Sequence, residues 1–431
     1  MNRAFYLLSL TLSGVKSLKN PITLEFYKKN IGKTFDPDLY RITAVFGENG
    51  SGKSAIVTAV RILKNFLTTR DYLSDVSRRL SLHELVNRET HKVDIACTFR
   101  CEADGVVYRY AFSFQETDPV GREFRILSEK LECRTSVNGR FSIIFEADHG
   151  KLISLTSDAD MENILGRTQN LLDRQSVVPI LVADPEGCEY GSLYAAVLNL
   201  FLFGTLLHVS LEPDDWHDVF LLRKVLQNPA LNAGNSVTVS GMLEEYVLSD
   251  QEKIPVSMYG AYEKRVERLS RFVKLFKPSL QKIDIEKKEN GEFYDCRLQY
   301  NYGSFSVDAQ FESTGIRKLP ALFDALSDSV DGAVVFVDEM DANMNSVYMN
   351  AMLEHVINDG SGQLIFTCHS LEPMDLLKNR KKAIDFISSD GELVSWAKSG
   401  NLTPQRAYRA GTINHIPFNI DSTDFIGILG G

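Results

Sequence analysis

The stretch RITAVFGENGSGKSAIVTAVRILKNFL (41–67) constrains this chain more than any other. An apolar run feeds a glycine-rich loop that closes on Lys53-Ser54 and passes straight into a helical pattern. Gly47, Gly50 and Gly52 allow backbone geometries that a Cβ would block, so successive N–H groups can turn inward onto phosphate oxygens. Asn49 and Ser51 complete the loop. The helix start at Lys53 adds its partial positive charge, Lys53 can reach the outer phosphates, and the Ser54 hydroxyl can ligate magnesium. A strand, a loop and a helix in this order predict an α/β fold that holds a nucleotide at a strand end. Switches, motors, kinases and nuclease regulators all use such a loop, so the rest of the chain must choose among them.

The second constraint is GAVVFVDEMDANMN (332–345). Val334 to Val337 form a continuous apolar run that suits a central parallel strand buried on both faces. Asp338 at its end can hold magnesium through water, and Glu339 beside it is placed to polarise an attacking water. Hydrolysis, not binding alone, is therefore expected. QLIFTCHS (363–370) reads as a further apolar strand, which carries His369 to where a terminal phosphate can be contacted. In FESTGIRKLPALFDAL (311–326), Ser313 and Gly315 precede a helix with Arg317 and Lys318 in its first turn. A hydroxyl and free N–H groups at a helix start make a second anion site, which suits a nucleotide held by another copy of the chain.

Composition narrows the class. The 431 residues carry a net charge of −10, which argues against bulk, nonspecific coating of DNA. A local exception is 262–288, with nine basic residues against four acidic ones and an apolar stripe of Val266, Leu269, Phe272 or Val273, and Phe276. An amphipathic helix with a solvated basic face explains it, and a docking surface for nucleic acid or a partner stays open. No apolar run is long enough to span a bilayer. LYAAVLNLFLFGTLLHV (193–209) reads instead as a buried core or interface helix, and the alternating N-terminus as a strand, not a signal peptide. The cysteines at 97, 101, 133, 188, 296 and 368 are scattered, so reduced, mostly buried thiols in a cytoplasmic protein are expected, and zinc is not. The eight histidines look isolated along the chain.

Three zones follow. Residues 1–155 hold the loop and then an antiparallel meander with ADG, NG and HG turns; 156–283 lose alternation and become a helical insertion; 284–431 return to strands with NG and YG turns.

The order of Walker A loop, long insertion, Ser-x-Gly, apolar-Asp-Glu and apolar-Thr-x-His resembles that of ABC-type ATPase heads. DEMDA is similar to the structural-maintenance-of-chromosomes and RecF-like branch. Within it the chain most resembles the OLD-like ATPases of bacterial phage-defence and abortive-infection systems, of which Septu and PARIS are examples. LLSLTLSGVKSLKNPITLEF, FESTGIRKL and RAYRAGTINHIPFNID carry that likeness. The resemblance implies an ABC-type P-loop head, a mixed sheet with an antiparallel β subdomain, carrying a helical insertion. It implies ATP and Mg2+. Gly47, Asn49, Gly50, Ser51, Gly52, Lys53 and Ser54 become the nucleotide loop; Asp338, with Ser54, the magnesium residues; Glu339 and His369 the catalytic pair. Ser313, Gly315 and Lys318 become a signature acting in trans, and Gln115 the candidate magnesium-sensing glutamine. Thr314 and Ile316 stand where better-known heads carry Gly; Asn345 stands where relatives carry Asp or His, from which slow hydrolysis is expected.

OLD nucleases carry a Toprim domain after the head, with a late Asp-x-Asp. Only about sixty residues follow His369, without that motif, so the chain is not expected to be a nuclease itself. The resemblance implies a homo-oligomer joined by ATP, with a separate HNH-type or Toprim-type nuclease or toxin chain and no membrane. A RecF-like clamp on DNA is the alternative; a kinase or GTPase switch fits the Ser-x-Gly and His elements least.

Overall fold

The computed structural model describes residues 4–27, 35–118, 120, 122–135, 139–156, 161–168, 170–184, 191–210, 252–342, 344–380, 382–397 and 402–413. Its centre is a six-stranded sheet in the order Leu393–Ser395, Ile384–Ile387, Ile42–Gly47, Gln363–Thr367, Val334–Val337, Leu207–Ser210. All neighbours are parallel except the Leu393–Ser395 edge. The inner strands are fully buried, which is why they read as unbroken apolar runs with no alternation.

Alternate residues of these strands feed two different cores. Val45, Val334, Phe336 and Ile365 pack with the helix Lys53–Thr68 on one face. Ala44, Phe46, Val335, Val337 and Phe366 pack on the other with Leu322, Ala325 and Leu326 of the helix Thr314–Val330.

A seven-stranded antiparallel sheet, whose middle strands are Phe5–Ser13, Lys92–Cys101, Val107–Asp118 and Glu123–Arg134, covers the far side of Lys53–Thr68. That helix is thus buried between two sheets, and Phe66 stacks on Phe112 with centroids 4.1 Å apart. Of the turns expected from sequence, Gly105, Gly150, Gly291 and Gly303 take positive φ at hairpin ends, while Asn138 of the NG turn at 138–139 lies outside the described residues. Gln363, buried under the first strand, gives its side-chain amide to Leu7, accepting from Leu7 N at 2.6 Å and donating to Leu7 O at 2.9 Å. The two sheets are joined there by a fully satisfied polar contact, not by packing alone.

A third core gathers Tyr262, Val266, Leu269 and Val273 of the helix Tyr259–Phe276, with Cys296, Leu298 and Tyr300 of a small antiparallel sheet and Ile316 and Leu319 of Thr314–Val330. The expected stripe at 266, 269 and 273 is the buried one, while Phe272 and Phe276 are half-buried.

The segment 156–283 departs from the expected insertion. Gly191–Leu206 is a helix, as its composition requires, but it packs in the main core, and the chain then enters the central sheet as Leu207–Ser210, paired with Val334–Val337. Leu207 to Val209 continue the same apolar run, and only the sheet partner turns them from helix to strand. The breaks expected at 185–187, 212–215 and 228–236, and 414–421 of the closing motif, lie outside the described residues. Among the described residues, no helix is long and apolar enough to cross a membrane.

Not all of the basic stretch faces solvent. Arg265 is buried and makes a bidentate pair with Asp324, Nε to Oδ1 at 2.9 Å and one terminal nitrogen to Oδ2, which ties Tyr259–Phe276 to Thr314–Val330. Truncating Arg265 leaves the buried Asp324 carboxylate without its bidentate donor. Arg265→Ala should cost about 3–5 kcal/mol of unfolding free energy; urea melts that match the wild type would contradict this.

Candidate active site

Four strand ends meet at the C-terminal edge of the central sheet. The loop 47–52 leaves the strand Ile42–Gly47 and enters Lys53–Thr68. Gly50 and Gly52 sit at φ 82° and 106°, where other residues are strained. A Cβ on Gly47 would lie 2.4 Å from Ile387 O and 2.6 Å from Ser51 Oγ, and one on Gly52 would lie 2.6 Å from Leu18 Cδ2. The loop is therefore packed tightly from beneath, by the adjoining strand and the first hairpin, while Asn49 and Gly50 face out.

Lys53 is buried, and its ammonium is held by Gly47 O at 2.8 Å and Glu48 O at 2.9 Å. No carboxylate lies within ion-pair reach of it among the described residues. Burial lowers its pKa from the usual lysine range, and Asp338, Glu339 and Asp341 oppose that by their charge. A buried cation with only neutral carbonyls as partners is costly unless an anion joins it. The glycine cradle and this lysine fit a phosphate chain. Ser54 and Asp338 supply hydroxyl and carboxylate oxygens, the donor chemistry that a magnesium ion requires.

The acidic pair is held by the neighbouring strand. Thr367, the last residue of Gln363–Thr367, donates through Oγ1 to Asp338 Oδ1 at 2.5 Å and accepts Glu339 N–H at 2.7 Å. Glu339 adopts φ 46°, the left-handed region that costs a non-glycine residue about 1–3 kcal/mol. The hydrogen bond from its N–H to Thr367 is one contact that holds this conformation. The Glu339 carboxylate is half-exposed, and His369 Nε2 lies 3.7 Å from its Oε1. The structure thus brings together the loop, Asp338, Glu339 and His369. Thr367 and Asp341 belong to the same group; the sequence reading assigned neither, although both lie inside the quoted motifs.

Ser313 caps Thr314–Val330 without a side-chain capping bond, and Ser313, Thr314, Arg317 and Lys318 are exposed. Gly315 is half-buried and Ile316 packs into the third core. This helix packs on the opposite face of the sheet from Lys53–Thr68, and among the described residues no hydrogen bond joins Ser313 or Gly315 to the glycine loop of their own chain. Asn345 has a structural use: its side chain accepts Val347 N–H at 2.9 Å and caps the helix Ser346–Asp359.

Gln115 is placed elsewhere. It sits inside the strand Val107–Asp118, paired between Lys92 and Arg125 in the antiparallel sheet, with no hydrogen bond to the acidic pair or the loop. The ladder is regular toward Lys92–Cys101, while toward Glu123–Arg134 register shifts at Ser113/Phe114 and Glu116/Asp118 flank Gln115. The histidines are also less isolated than their spacing suggests. His83 and His91 both meet the buried Glu116 carboxylate, His91 Nδ1 at 2.9 Å, and His208 meets Asp328 at 2.7 Å. Among the described residues no group of three or more His, Cys, Asp or Glu could hold a metal ion.

No family model and no curated protein matches the chain. Among solved structures it is similar to an Smc head bound to the C-winged helix domain of ScpA, at 14% identity and TM-score 0.46, over 94% of this chain and 99% of that one. A second is the Smc head domain with an extended coiled coil bound to the C-terminal domain of ScpA from Pyrococcus furiosus, at 17% identity and TM-score 0.43, over 94% and 98%.

Proposed function

We propose that the chain is an ATPase head that assembles through shared nucleotide sites and acts as sensor and scaffold in an antiphage defence complex, controlling a separate nuclease or toxin. One observation supports the assembly: Lys53–Thr68, which follows the nucleotide loop, and Thr314–Val330, which follows Ser313, pack on opposite faces of one sheet. A second copy, turned about a twofold axis, would set its Ser313, Gly315 and Lys318 over the first copy's phosphates and complete the site.

Within the site, Gly47 to Ser54 bind the phosphate chain and Lys53 neutralises its outer charge. Ser54 and Asp338 would hold magnesium, which shields the phosphate oxygens when bound. Glu339 accepts hydrogen-bonding from the attacking water and draws its proton toward Oε, and His369 steadies that carboxylate from 3.7 Å. The defence assignment rests on the motif resemblance.

Light scattering tests the assembly. ATP with Mg2+ should double the mass, or raise it further, for the wild type and leave Lys53→Ala monomeric; a wild-type mass unchanged by ATP would refute it. ATP-dependent co-purification with the product of a neighbouring nuclease or toxin gene would bear on the defence role.

The DNA-clamp reading has one observation of its own. Lys264, Arg268 and Arg271 lie exposed along one face of Tyr259–Phe276, and among the described residues none forms an ion pair. Binding to duplex DNA that falls steeply with salt, and is lost when these three become Ala, would favour it.

A further inference from the structure

We propose, on the hydrolytic reading above, that Asp341 is a positioning residue that acts through His369. Asp341 follows the acidic pair by two residues, and its carboxylate reaches across to the turn after Gln363–Thr367. There it accepts His369 N–H at 3.0 Å (Oδ2) and 3.2 Å (Oδ1), and Ser370 N–H at 2.6 Å. Both donors lie beyond the end of the sheet ladder, where no strand offers a carbonyl.

The two turns are therefore stitched in both directions. Thr367 holds Asp338 and Glu339 from the histidine side, with Met340 N–H donating to Thr367 O at 3.0 Å. Asp341 holds His369 and Ser370 from the acidic side. The His369 and Glu339 side chains are each close to half exposed, at 42% and 48%, so packing does not fix their separation. Backbone register must fix it, and Asp341 is the side chain that sets that register for the histidine. Misplacement by about 1 Å at such a centre costs about a hundredfold in rate.

Asp341→Ala should lower kcat by about tenfold to a hundredfold while KM for ATP stays within about threefold. Asp341→Asn keeps a carbonyl oxygen for the two N–H groups and should recover most of the rate. Asp341→Ala combined with His369→Ala should be no slower than His369→Ala alone, since both remove one function. Multiplicative losses in the double variant, or an Asn variant as slow as Ala, would overturn the proposal; the latter would show that the Asp341 charge acts directly on Lys53 or the nucleotide. Amide hydrogen exchange gives a readout independent of turnover. His369 and Ser370 should be protected in the wild type and in Asp341→Asn, and exchange freely in Asp341→Ala. Retained protection in Asp341→Ala sinks the latch, whereas a wild type that turns over no ATP instead removes the hydrolytic reading.

Discussion

Glu339→Gln should bind ATP with wild-type affinity and hydrolyse it about a hundredfold more slowly or worse. The carboxylate is half-exposed at the strand end, held at φ 46° by a turn that its side chain does not build. Glutamine is isosteric there, so Thr367 still accepts the residue 339 N–H and the nucleotide loop is untouched. What is lost is a base for the attacking water, a loss typically worth about 10²–10⁴ in rate. Since Lys53, Ser54 and Asp338 remain, the ATP-loaded form should accumulate as the assembled species. Phosphate release and light scattering on the same sample read both effects. Wild-type turnover in this variant would show that Glu339 is not the base.

The second large effect concerns mixing. Lys53→Ala and Ser313→Arg should each be inactive alone, the first for want of phosphate binding and the second because a bulky cation blocks the shared face. In a twofold dimer of one copy of each, one site combines the intact Lys53 of one chain with the intact Ser313 of the other, and the second site carries both lesions. An equal mixture with random pairing should therefore recover about a quarter of wild-type activity. If Ser313 served its own chain's nucleotide, no mixture could recover anything. Full activity in a strictly monomeric preparation would equally refute a shared site.

Much of the candidate site is legible in the sequence because its parts are local. Gly47 to Ser54 work through the φ preferences and N–H groups of consecutive residues, and Val334–Val337 announces its burial by unbroken apolar composition. The hairpins around Gly105, Gly150 and Gly291 are local in the same way. Other features escaped because their partners lie far along the chain. Arg265 reads as one more charge on a basic face until Asp324 of another helix is seen to meet it. Leu207–Ser210 continues a helical apolar run and becomes a strand only because Val334–Val337 lies alongside. Gln115 offered the right residue type, but its ladder partners place it in the other sheet. Thr367 and Asp341 are visible as letters; their roles require that two strands separated by a helix end side by side.

By itself, the sequence determined the strand, glycine loop and helix, the acidic pair at the end of a buried strand, and the helix start after Ser313. Each of these follows from backbone sterics and burial over a few neighbouring residues. Only the tertiary structure decided that Lys53–Thr68 and Thr314–Val330 occupy opposite faces of one sheet, and that Asp341 reaches the histidine turn. Those relations depend on which strands pair and which faces they bury. Long-range packing selects the pairing, and no local preference encodes it.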